Sequence, residues 1–233
     1  MKEISVFDAI GPNMIGPSSS HTAGALKIAL MARKLAGCQI AGVRFLLYGS
    51  FAKTYKGHGT DRALLGGILG FSTEDARIRD SFRFAREQGL DFAFELDTDN
   101  TELHPNTVDI FITCENGRTL SVRGVSTGGG NCRIEKIDGI AVDLTGDYTT
   151  LIIRQRDTSG VVAFITGCLS EYGINIAFMS LYRESRGETA YTVIETDGDI
   201  PKPLVEKIER HPEISGVRVV QIDGSGPQEG DAT

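Results

Sequence analysis

The chain has 233 residues, 40% of them hydrophobic, with 24 Lys and Arg against 31 Asp and Glu. That length and apolar content support one large core or two modest ones and speak against a disordered chain. A net charge of −7 without a basic cluster excludes nucleic acid and anionic membrane surfaces as natural partners. No apolar run approaches the roughly 20 residues that span a bilayer.

Taken in chain order, Met1–Asp8 holds the acids Glu3 and Asp8 and no long apolar stretch. It does not read as a signal peptide, and a cytoplasmic location is expected. Thr22 to Ala36 is predicted to be a helix, because Ala25, Ile28, Ala29, Ala32, Leu35 and Ala36 recur on one face. Ser20 or Thr22 is available as its cap and Gly37 as its stop. Val43–Tyr48 reads as a buried strand, and a short helix from Ser50 breaks at Gly57. Asp61–Leu69 is helical again, and Glu74–Gln88 reads as one charged helix behind a Ser72/Thr73 cap. From Phe92 the period changes to two. Phe92, Phe94 and Leu96 alternate, as do Val108, Ile110 and Ile112, and Asn116-Gly117 marks a hairpin before Leu120 and Val122. Gly128-Gly129-Gly130 interrupts, and Ile134–Val142 resumes as strand. This first unit, residues 1–146, reads as α+β, with helices laid against an antiparallel or mixed sheet.

Gly146-Asp147 reads as a boundary turn. Beyond it, residues 147–222 run strand, helix, strand, strand, helix, strand, the βαββαβ ferredoxin-like plan. The tail 223–233 is rich in Gly and acids and is expected to be disordered. The cysteines Cys38, Cys114, Cys132 and Cys168 include no CxxC pair and fit neither zinc nor iron–sulfur spacing. All four are expected to be small, free, buried residues, and no metal ligand is assigned.

Two of the four histidines lie in loops of small residues, Gly16-Pro17-Ser18-Ser19-Ser20-His21-Thr22 and Gly57-His58-Gly59-Thr60-Asp61. Imidazole titrates near neutrality and is the usual proton-transfer group. Glycine and serine around it let backbone N–H groups approach an anion at a helix start. The combination describes a site for a small anionic metabolite. No G-x-S-x-G elbow is present, which leaves a serine-hydrolase reading without its nucleophile.

The second unit resembles an ACT domain, on its element order and on Asp157-Thr158-Ser159-Gly160 and Gly173-Ile174-Asn175-Ile176. The resemblance implies that these stretches meet at a dimer interface and bind a small amino acid through Asp157, Gly160, Asn175 and Ile176. Helix capping by Asp157 and termination by Gly173 would account for the same residues. The first unit resembles the N-terminal domain of bacterial iron–sulfur-dependent L-serine dehydratases. The shared text is Ser5-Val6-Phe7-Asp8, the two histidine motifs, Tyr48-Gly49-Ser50, His104-Pro105-Asn106-Thr107 and Gly128–Gly130. That domain is also similar to the allosteric substrate-binding domain of some phosphoglycerate dehydrogenases. Single-chain members continue into a cysteine-bearing domain holding a [4Fe-4S] cluster. This sequence ends after the ACT-like unit and so resembles the beta subunit of the split form, with the cluster on a separate alpha subunit.

The resemblance implies deamination of L-serine to pyruvate and ammonia. A Lewis-acidic iron would ease departure of the β-hydroxyl and loss of the α-proton. It further implies His58 as the base and His21 as a substrate anchor. Ser18, Ser19, Ser20, Thr22, Gly59, Thr60 and Asn106 would bind substrate, and the ACT-like unit would form a homodimer. The alternative is a non-catalytic module that senses serine or a related small carboxylate.

Overall fold

The computed structural model describes residues 14–145 and 148–220. The Ser5–Asp8 motif, the Gly146-Asp147 turn and the 223–233 tail lie outside the described residues. The chain divides into two units at Thr145/Gly146.

In the first unit a π-helical turn, Ser19–Gly24, runs into α1, Ala25–Ala36. The apolar face expected from the period is buried throughout, and Gly37 stops the helix at φ 54° with its N–H on the Arg33 carbonyl. The cap is Ser18, whose side chain accepts the His21 N–H, in place of the expected Ser20 or Thr22. Strand β1, Ile40–Tyr48, leads into α2, Gly49–Thr54, and α3, Thr60–Leu69. Helix α3 packs closely on α1 because Gly67 has no side chain. A Cβ there would stand 2.5 Å from the Leu26 carbonyl oxygen and 2.6 Å from the Ala29 Cβ.

The helix expected over 74–88 is two pieces, a 3₁₀ turn Ala76–Asp80 and α4, Ser81–Glu87. Asp75, not Ser72 or Thr73, caps the first, accepting the Arg77 N–H. Then follow β2, Asp91–Asp97; β3, Thr107–Cys114; and β4, Thr119–Gly128. The expected 134–142 strand is instead a hairpin: β5, Asn131–Ile137, and β6, Ile140–Leu144, fold back at Asp138-Gly139, both at positive φ. The sheet order is β2-β1-β3-β4-β5-β6. Only β1 and β2 run parallel, so the sheet is mixed.

One sheet face, with Val43, Phe45, Leu47, Val108, Ile110 and Ile112, is buried. On the alternate positions Arg123 grips Asp109 through two N–H···O bonds of 2.7 and 2.6 Å, and the Tyr48 hydroxyl donates to the same carboxylate at 2.8 Å. Burial first, then this acid, push the Tyr48 phenol up to about 12.

Two of the four cysteines depart from expectation. Cys38 and Cys114 form a disulfide across 76 positions, whereas Cys132 and Cys168 are buried outside any disulfide, as expected. Spacing carries no signal for such a pair, because the sheet alone brings the two positions together.

The second unit is β7, Thr149–Arg156; α5, Val161–Glu171; β8, Ile176–Arg183; β9, Thr189–Thr196; α6, Lys202–Glu209; and β10, Ile214–Val220. Its sheet order is β10-β7-β9-β8, all antiparallel. Leu151, Ile153 and Ile194 of the sheet meet Ile165, Leu169, Leu204 and Ile208 of the helices in one core. The ferredoxin-like expectation is borne out.

Candidate active site

The two histidine motifs meet although 37 positions separate their rings in sequence. Ser18, itself extended, caps the π-helical turn, and its Oγ lies 3.2 Å from the His21 N and 3.4 Å from Nδ1. The other ring nitrogen, Nε2, is 3.0 Å from Ser50 Oγ at the start of α2. Phe51 meets the His21 ring edge-on at 5.3 Å, and His58 meets it at 4.7 Å with planes crossed at 73°. Burial, and secondly the proximity of His58, lower the His21 pKa, so the ring is neutral at pH 7.

His58 sits in the turn between α2 and α3. Its N–H bonds to the Thr54 carbonyl, and its own carbonyl accepts the Thr22 hydroxyl at 3.2 Å, which ties the two motifs together. Gly59 adopts φ 68°, the left-handed geometry that lets the chain turn directly into α3. His58 Nδ1 is buried and has no hydrogen-bond partner. An orphaned ring nitrogen is costly unless a ligand or proton completes it.

The His58 ring lines a cavity of about 500 Å³ with Gly16, Pro17, Thr22, Gly57 and Gly59. Lys56, Arg62 and Arg79 also line it, and none of the three forms an ion pair with a described acid. The result is a basic-rimmed pocket with imidazole in its wall, suited to a small carboxylate.

The other expected site residues are placed less uniformly. Ser19 and Ser20 form the π-helical turn beside His21, and a Cβ at Gly128 would lie 3.8 Å from Ser20 Oγ. Thr60 is fully buried with its hydroxyl unpartnered and is not part of the cavity lining. Asn106 also stands apart from that lining. Its Oδ1 is buried and unpartnered, while its carbonyl accepts the Ser126 N–H. His104 Nδ1 accepts the Asn106 N–H in a local turn. Asp61 accepts the Arg62 N–H at 2.8 Å, and burial raises its pKa. Sequence reasoning missed Ser50, Phe51, Lys56, Arg62 and Arg79 as site residues. Ser50 belongs to the Tyr48-Gly49-Ser50 motif, but a serine after a glycine reads as a turn until the fold sets it against His21.

In the second unit Asp157 and Asn175 are held apart by α5, whose eleven residues span about 16 Å. Asp157 pairs with Arg183 at 3.2 Å and accepts the Gly187 N–H, and that N–H, ahead of Arg183, lowers its pKa. Asn175 donates to Asp197. Gly160 precedes α5 at φ 92°, and Ile176 begins β8.

Of the two imidazoles, His58 lines the basic cavity and His21 packs against the His58 ring, on a chain whose second unit has the ferredoxin-like plan. The profile described as "Serine dehydratase beta chain" matches residues 5–136, and that of the ACT domain matches residues 149–213. A protein of Bacillus subtilis described as "Probable L-serine dehydratase, beta chain" is 41% identical over 222 residues, covering 95% of this chain and 99% of its own. The "L-serine dehydratase, beta chain" of Peptoniphilus asaccharolyticus is 40% identical over 209 residues, covering 90% and 92%. The chain belongs to the serine dehydratase beta-chain family. A D-3-phosphoglycerate dehydrogenase of Methanocaldococcus jannaschii is 30% identical over 89 residues, covering 38% of this chain and 17% of that enzyme, in keeping with the kinship expected for the first unit.

Proposed function

We propose that this chain is the beta subunit of an L-serine ammonia-lyase and works with a cysteine-bearing alpha subunit that holds a [4Fe-4S] cluster. The observation that carries the reading is the His21–His58 pair, 4.7 Å apart, beside the basic-rimmed cavity. The described residues of this chain do not fit the cluster themselves. Two cysteines are bonded to each other, the other two are buried in different units, and among the described residues no three His, Cys, Asp or Glu side chains are grouped to hold a metal. No step is therefore derived through it.

What this chain supplies is binding and proton transfer. Lys56, Arg62 and Arg79 attract the serine carboxylate to the cavity. His58, uncrowded between Gly57 and Gly59, takes the α-proton. As the Cα–H pair becomes the Cα=Cβ bond, the β-hydroxyl leaves with a proton as water. The aminoacrylate formed tautomerises to an imine, and water converts that to pyruvate and ammonia. His21 stays neutral and anchors the substrate with Ser18, Ser19, Ser20 and Thr22.

For the second unit we propose self-pairing through β8, a sheet edge where Phe178 is 50% and Leu181 42% exposed. Pairing would bring Asp157 and Gly160 of one copy towards Asn175 and Ile176 of the other, which one copy holds at opposite helix ends. The proposed location is the cytoplasm. No helix among the described residues is long and apolar enough to cross a membrane.

The test is anaerobic pyruvate formation from L-serine by this chain alone and by this chain co-expressed with the cysteine-bearing partner. Turnover only in the pair is expected. No turnover in a pair whose cluster is verified spectroscopically would favour the sensing module instead.

A further inference from the structure

Thr22 follows His21 in the chain and is almost wholly buried, 3% exposed. Its hydroxyl oxygen stands 3.2 Å from the His58 carbonyl oxygen. A carbonyl can only accept, so the direction of this bond is fixed and Thr22 is the donor. The one side-chain proton of the threonine is therefore committed within the protein. What it can turn to the cavity it lines is an acceptor oxygen and a methyl group.

Thr22 is firmly seated. Its N–H donates to the Ser18 carbonyl at 2.9 Å. Gly16 lies against its side chain: a Cβ at that position, where φ is +133°, would stand 2.5 Å from Thr22 Cγ2 and 2.6 Å from Oγ1. Two positions beyond Thr22, Gly24 rests on β4, and a Cβ there would overlap the Ser126 Oγ. The π-helical turn that opens α1 is thereby fixed to the sheet. The turn carrying His58 is held by local backbone bonds, from the His58 N–H to the Thr54 carbonyl, from Gly59 to Lys56 and from Thr60 to Tyr55. These keep the shape of the turn but do not set where it stands against His21. The Thr22 bond does, because it joins residues 36 positions apart.

We infer that Thr22 is a positioning residue whose hydroxyl holds the His58 turn to the start of α1 and so keeps the His58 ring beside His21 and in the wall of the cavity. Its part in catalysis rests on the reading of His58 as the base, but the placement of the turn does not. Such a bond acts on rate more than on affinity. Arg62 of α3 and Arg79 of the 3₁₀ turn remain to meet the serine carboxylate when the hydroxyl is lost. Proton transfer, by contrast, needs the base within about 3 Å of its target.

The experiment compares Thr22→Val, which keeps the shape and removes the donor, with Thr22→Ser, which keeps the donor. On the full chain, NMR reads the nuclear Overhauser effect between the ring protons of His21 and His58, whose centroids are 4.7 Å apart. It is expected in wild type and Thr22→Ser and is expected to vanish in Thr22→Val, while the effect between His21 and Phe51, 5.3 Å apart, persists in all three. In the assembled pair, Thr22→Val is expected to lose about tenfold or more in kcat, since misplacing a reacting group by about 1 Å costs on the order of a hundredfold. Its KM for serine should stay within about threefold of wild type, and Thr22→Ser should recover kcat to within about threefold. A His21–His58 effect unchanged in Thr22→Val, a rise in KM with kcat intact, or a Thr22→Ser as slow as Thr22→Val overturns the inference. The ring contact is read without the partner subunit, so a pair that makes no pyruvate counts against the dehydratase reading alone.

Discussion

In the first unit, His58 Nδ1 and Asn106 Oδ1 are buried without partners, and three basic side chains line a cavity with no described acid to pair them. In the second, the candidates Asp157 and Asn175 are engaged, Asp157 by Arg183 and the Gly187 N–H and Asn175 by Asp197, and of the Asp157–Gly160 motif only the Thr158 hydroxyl is buried without a partner. Polar groups left unsatisfied inside a fold mark a place where something else completes the bonding. Groups satisfied within one copy mark structure, and any ligand there must first displace a partner or wait for a second copy. The same motif-level resemblance therefore carries different weight in the two units.

That contrast extends to packing, where the largest effect on stability is expected. Gly67 of α3 and Gly167 of α5 both lie inside helices. A methyl group at Gly67 runs into the α1 backbone, while one at Gly167 meets open space. Gly67→Ala should cost about 1–3 kcal/mol by overpacking. Gly167→Ala should gain up to about 1 kcal/mol of helix propensity, both read by urea unfolding. Equal effects would erase the contrast. Next in size, Lys56→Gln combined with Arg62→Gln should raise KM for serine about tenfold while kcat stays within about threefold. A fall confined to kcat would remove the cavity rim from substrate capture.

The His21 prediction concerns pH. Its folded pKa lies below the ordinary 6.5, through burial and then His58. The unfolded chain therefore takes up the proton first as pH drops. The His21 contribution to stability is full above about pH 6.5 and is lost as pH falls through the lower folded value. Urea midpoints between pH 7.5 and 5 should decline more for wild type than for His21→Gln, and parallel curves would contradict the burial argument. The smallest effect belongs to the second unit. Asp157→Ala should leave serine turnover within about twofold, and a larger loss would show that the two units are coupled in catalysis.

Much of the fold was legible. The apolar face of α1, the Asn116-Gly117 hairpin and the second unit's element order follow from local periods and turn residues, which act over a few positions. The misreadings share a cause. The break at Asp80/Ser81 and the Asp138-Gly139 turn interrupt stretches whose charge or apolar pattern runs on unbroken. Ser18 took the cap because a π-helical turn begins earlier than the apolar period reveals. The Cys38–Cys114 pair and Ser50 depend on tertiary placement, and neither has a local signature. His58 drew notice because of its glycine neighbours, but its meeting with His21 became an expectation only through the family resemblance.

The central claim is that His58 removes the α-proton of serine, and it is tested most directly by His58→Ala in the assembled pair. With subunit assembly and the cluster spectrum unchanged, pyruvate formation should fall by about a thousandfold, within the range for loss of a general base, and solvent deuterium should no longer enter Cα of unreacted serine. Turnover at the wild-type rate in that variant would contradict the account.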